Sequence, residues 1–163
     1  MKKILFAVVF ITFAASSWAQ LPSVTLKTID GRTINTDTLN NNGKPFIISF
    51  FSMVCKPCLR ELNTIAEYYE DWQAETGVKI FAVSLDEAQN AAKVKPMVDR
   101  YGWEYEVILD PNSELKRAMN VQLIPHVFVF DGKGNIAESR SGYVDGSEEH
   151  LLEKVKELIA EGK

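Results

Sequence analysis

The chain has 163 residues, 46% of them hydrophobic and 25% charged, with a formal net charge of −4 at pH 7. That length suits one domain with a single core and is short for two. The acidic balance, with no basic cluster to meet phosphates, removes nucleic acid from the candidate partners.

Met1-Lys2-Lys3 is basic, Ile4 to Ala15 is almost wholly apolar, and Ser17 and Ala19 put small residues at the −3 and −1 positions of a cleavage site. This is the layout of a secretory signal peptide, residues 1–19, which leaves 20–163 as one mature domain beginning at Gln20. Losing Lys2 and Lys3 would move the formal charge from −4 to −6. The apolar run falls short of the roughly 20 residues of a spanning helix, so an uncleaved anchor is the lesser reading, and only then would the chain contact the membrane. An exported protein, in a bacterial periplasm, is expected. No cysteine follows the run, which argues against a lipoprotein.

From Leu21 to Asn42, Val24-Thr25-Leu26 and Arg32-Thr33-Ile34 flank Asp30-Gly31, predicting an N-terminal hairpin on a sheet edge. Phe46 to Phe51 reads as a strand covered on both faces. Leu62, Ile65, Ala66 and Tyr69 then recur at helical spacing, predicting a helix from near Cys58 to about Thr76, ended by Gly77. Val78 to Ser84 is a second buried strand, completing a right-handed parallel unit. Ala88 to Tyr101 reads as a helix that Pro96 either begins or kinks. A short strand, Glu106 to Leu109, is followed by a short helix, Ser113 to Met119, with Ser113 as the expected cap. Val127 to Phe130 turns through Asp131-Gly132-Lys133-Gly134 into Ile136 to Ser141, a hairpin, and a final helix carries Leu151, Leu152, Val155, Leu158 and Ile159 on one face.

The two cysteines of the chain, Cys55 and Cys58, stand between the first buried strand and the first helix, in Val54-Cys55-Lys56-Pro57-Cys58. A structural disulfide is the plain alternative in an oxidising compartment, but closing so short a loop gains little chain entropy. Redox chemistry needs a thiolate, and an unperturbed thiol of pKa about 8.5 is only about 3% ionised at pH 7. If the helix begins at Cys55, its sulfur lies beside unpaired N–H groups at the positive end of the helix dipole, which favours the anion. Lys56 adds a nearby positive charge, or is simply an exposed lysine. Pro57 stiffens the first turn, where its missing N–H costs little, and a plain helix-start preference explains it equally well. Cys55 is thus the expected nucleophile, and Cys58, about a turn on and shielded by the helix, the resolving thiol.

The order of elements, the Cys-x-x-Cys at a strand-to-helix turn, and Leu123-Ile124-Pro125-His126 leading into the third core strand together resemble the thioredoxin fold. The N-terminal hairpin and an insertion over about Asp86 to Leu109 make the chain similar to the exported TlpA/ResA-like thiol-disulfide oxidoreductases, from about Leu21 to Ala160. The resemblance implies an α/β fold with a mixed central β-sheet flanked by helices, a cis peptide bond before Pro125, and Ile124 backbone groups that pair with a substrate strand. It implies a reductant of exported protein thiols, for example in cytochrome c or metal-site maturation, without a cofactor and recharged by a membrane or periplasmic thiol donor.

Val54 stands where the family commonly has Trp, and Ser49 where classical thioredoxin carries a buried acid. The resemblance points instead to Glu87 as the carboxylate serving Cys58, with Asp86 as an adjacent rival. Two other functions fit less well. A peroxiredoxin-like peroxidase would carry Pro and Thr where this chain has Ile48 and Ser52, and a copper-carrying module would use Cys55, Cys58 and His126.

Overall fold

The computed structural model describes residues 21–162; the expected signal peptide lies outside them. In chain order the elements are β1 (Thr25–Thr28), β2 (Thr33–Asn35), a short 3-10 turn (Thr36–Thr38), β3 (Phe46–Phe51), α1 (Lys56–Thr76) and β4 (Lys79–Ser84). There follow α2 (Ala88–Tyr101), β5 (Glu106–Leu109), α3 (Glu114–Ala118), β6 (His126–Phe130), β7 (Ile136–Ser141) and α4 (Ser147–Glu161). No helix among the described residues is long and apolar enough to cross a membrane.

The strands form one seven-stranded mixed sheet in the order β2-β1-β5-β4-β3-β6-β7. Strands β3, β4 and β5 run parallel, β6 and β7 return antiparallel beside β3, and the β1–β2 hairpin is antiparallel on the far side. The insertion therefore supplies β5, which joins the hairpin to the central strands.

Alternation along the strands divides the core into two halves. Ile47, Phe51, Ile80, Ala82, Val107, Val127 and Val129 face α1, α2 and α4, together with Leu62, Ile65, Val94, Val98, Leu151 and Val155. Phe46, Ile48, Phe50, Phe81, Val83, Ile108, Phe128 and Phe130 face the other way, onto Leu115 of α3 and onto Leu21 and Val121. All six residues of β3, the strand that leads into the cysteines, are buried, as are all five of β6 beside it.

Local chemistry departs from expectation at the starts of α1 and α3, while α2 has the expected bounds. The first helix begins at Lys56, with Cys55 as its cap. Pro96 lies inside α2, whose helix runs on to Tyr101. Ser113 does not cap α3: it adopts a left-handed backbone, φ 53°, with no capping bond. Asp110 takes that role, its carboxylate accepting from the N–H groups of Glu114 at 2.7 Å and Lys116 at 2.9 Å.

Candidate active site

Cys55 occupies the N-cap of α1 with extended backbone, and its sulfur accepts from the Cys58 N–H at 3.3 Å. Its carbonyl accepts from Leu59 N–H at 3.0 Å, so the cap closes the first turn. The two cysteines are joined in a disulfide. Cys55 is half-buried, whereas Cys58 is fully enclosed in the half-core beneath α1. One sulfur is thus open to a partner and the other is not. Lys56 and Pro57 are exposed and share a cleft of about 480 Å³ with Arg60, Tyr143, Val144 and Asp145.

The loop before the cysteines is held from beneath by Asp86. Its carboxylate accepts from Ser52 Oγ at 2.9 Å, from the Met53 N–H at 3.0 Å, and from Ser84 Oγ at 2.8 Å. Ser52 in turn accepts the Cys55 N–H on its carbonyl at 3.0 Å. Glu87, the acid the resemblance favoured, stands exposed at the start of α2, and its carboxylate accepts from Gln89 Nε2 at 3.0 Å. The neighbouring Asp86, not Glu87, is bonded to the cysteine loop.

The Ile124–Pro125 peptide is cis, as the resemblance implied. Pro125 is buried and its carbonyl accepts from the Gly142 N–H at 2.8 Å. Ile124 is half-buried and packs, like Cys55, against the core half that contains Cys58. Leu123 and Val54, on the two loops that bring these residues together, are 69% and 87% exposed, and Val144 at the cleft is 72% exposed.

His126 does not join the cysteines. It shares its face of β6 with Phe128, the rings 4.5 Å apart, in the core half opposite α1. Both ring nitrogens are engaged by serines of β7: Nε2 with Ser139 Oγ at 3.0 Å and Nδ1 with Ser141 Oγ at 2.8 Å. Burial holds its pKa below the ordinary histidine value. The copper-carrying arrangement is therefore not assembled, and among the described residues no group of three His, Cys, Asp or Glu is placed to hold a metal.

The residue missed in the sequence is Glu61. It lies on α1 three residues after Cys58, the spacing at which helical side chains are neighbours. Glu61 is completely buried and pairs with Arg140 of β7, Nη2 to Oε1, at 2.6 Å. Burial pushes its pKa up to about 7; Arg140 opposes the rise and Glu148 adds to it. Ser49, beneath α1, is also buried, and its Oγ has no partner. A signal for Glu61 existed: position 61 falls on the buried stripe that runs through Cys58, Leu62 and Ile65.

Residues 19–139 match the AhpC/TSA family. The thiol-disulfide oxidoreductase ResA of Halalkalibacterium halodurans is 28% identical over 145 residues, 89% of this chain and 78% of that protein. A thioredoxin-like protein of Porphyromonas gingivalis, known from its solution structure, is 60% identical with a TM-score of 0.79, covering 90% of this chain and 95% of that one. StoA of Bacillus subtilis is 26% identical, with a TM-score of 0.65 over 82% of this chain and 96% of its own. A half-buried Cys55 capping a helix and joined to a fully buried Cys58 within it agree with those likenesses: the chain belongs to the AhpC/TSA family, as one of its TlpA/ResA-like thiol-disulfide oxidoreductases.

Proposed function

We propose that this protein reduces disulfides in other exported proteins. The observation that carries the reading is the contrast between a half-buried Cys55 at the start of α1 and a fully buried Cys58 within it. In the reduced protein, the helix N-terminus favours the Cys55 thiolate, which attacks a substrate disulfide. One substrate sulfur leaves as thiolate, and the other is held in a mixed disulfide with Cys55. Cys58 then gives its proton to the Glu61 carboxylate and attacks the Cys55 sulfur, releasing the second substrate thiolate. Two electrons have passed to the substrate, and Cys55 and Cys58 end as the disulfide. A thiol donor in the membrane or periplasm would reverse this change and restore the dithiol, so no cofactor is needed.

Ile124 and Pro125 are assigned to substrate binding, supported by Ile124, which like Cys55 packs against the core half that holds Cys58, and by the exposed apolar side chains of Val54, Leu123 and Val144. Lys56, with Pro57 stiffening the turn, is assigned to favouring the thiolate. Glu61 takes the proton-accepting role first expected of Glu87, because burial and a pKa near neutrality suit it to accept and return a proton. Export rests on the N-terminal segment, and sequencing of the secreted protein is expected to begin at Gln20.

The test uses the purified chain and a disulfide-containing protein. Cys55→Ser is expected to abolish reduction, whereas Cys58→Ser should accumulate a mixed disulfide visible by mass. Trapping through Cys58 in the Cys55→Ser variant would overturn the assignment. Equilibration in graded thiol buffers then sets direction: a potential near −270 mV, roughly the thioredoxin value, fits a reductant, and one of about −120 mV a disulfide donor.

A further inference from the structure

Behind Glu61 lies a buried polar cluster drawn from three elements. Arg140 of β7 pairs with Glu61 through Nη2 and donates from Nη1 to the Ser147 carbonyl at 3.0 Å, at the first residue of α4. Glu148, the next residue, is 8% exposed. Glu61 Oε2, Glu148 Oε2, Arg140 Nε and Ser147 Oγ are all buried without a hydrogen-bond partner. Tyr143, in the cleft beside Lys56 and Pro57, faces Glu148 and Thr64, and Tyr105 faces Glu61 from the segment before β5. Cys58 is the remaining titratable neighbour, on α1 itself.

We propose that Arg140 and Glu148 are positioning residues for the exchange reaction: the cation paired with Glu61 and the buried like charge at the start of α4 together fix the pH range in which Glu61 accepts the Cys58 proton. The inference rests on the role given to Glu61 above and extends it to two residues on other elements.

Charge and hydrogen bonding both lead to it. With both carboxyls ionised, the cluster would bury a net negative charge, and two anionic oxygens would have no donor. A proton on Glu61 makes the cluster neutral, so the like charge of Glu148 favours that proton and the Arg140 cation opposes it. Cys58 can then discharge its proton only where that site has emptied.

The experiment isolates the second step. Full-length reduced protein is mixed with dithiobis-nitrobenzoate, and release of the second coloured thiol, which requires Cys58, is followed against pH. Glu148→Gln removes a like charge and is expected to move the midpoint down by about one pH unit, and Arg140→Gln removes the cation and should move it up by about as much. Release at pH 6 would then be faster in the first variant and slower in the second. A general loss of structure would not shift the two in opposite directions. If Glu61→Gln slows release but Glu148→Gln and Arg140→Gln leave the profile in place, the inference is overturned and the role of Glu61 stands. If Glu61→Gln leaves release unchanged, both fall.

Discussion

A carboxyl buried like Glu61 makes folding itself depend on pH. Its pKa is about 7 in the folded protein against an ordinary value of 4.5, so between these values the folded state keeps a proton that the unfolded chain has released. The stability this contributes is complete below pH 4.5 and is lost as pH rises to about 7, by on the order of 3 kcal/mol. Urea midpoints taken from pH 4 to 8 should therefore fall across that window in the parent protein and stay nearly level in Glu61→Gln. Tyr105 gives a second test at this scale: its hydroxyl donates to the Leu62 carbonyl at 2.9 Å, fastening α1 next to Glu61. Tyr105→Phe should cost about 1 kcal/mol in the same measurement. Cys55 and Cys58 were legible because their meaning lies in adjacent residues. Glu61 was less so: its place on the buried stripe could be read, but its pairing with Arg140, 79 residues away in the chain, could not.

At the scale of elements, hydrophobic period identified each long helix and every central strand, while termini depended on contacts that no short window contains. Asp110 caps α3 from outside the helix, across a turn in which Ser113 takes a left-handed backbone. Asp110→Ala is expected to cost about 0.5–2 kcal/mol, and Ser113→Ala much less, by thermal denaturation. The β6–β7 turn is fixed by a close approach. A Cβ on Gly132 would lie 2.0 Å from the Gly43 carbonyl oxygen, a backbone atom that cannot swing aside. Gly132→Ala should therefore destabilise by about 1–3 kcal/mol. The sequence showed that a hairpin turns here; it did not show what the turn rests against.

For the whole molecule, the mixed sheet, the edge hairpin and the added strand and helix were all readable from the order of elements, but strand neighbours were not. Placing β5 between β1 and β4 makes the insertion the bridge between the hairpin and the parallel strands, a choice made by packing over the whole chain. The two core halves also differ in composition. One half holds Tyr69 and Trp72 of α1 together with Trp103 and Tyr105, with Trp103 edge-on to Phe51 at 5.4 Å and its indole N–H donating to Asn63 at 2.7 Å. The aromatic residues of the opposite half are all phenylalanines: Phe46, Phe50, Phe81, Phe128 and Phe130. Trp103→Ala should cost about 3–5 kcal/mol. Among the described residues both indoles lie in the half that encloses Cys58 and none in the other. Residues 21–162 therefore carry their own optical label, whose emission follows the environment of the cysteine half while the phenylalanine half stays dark.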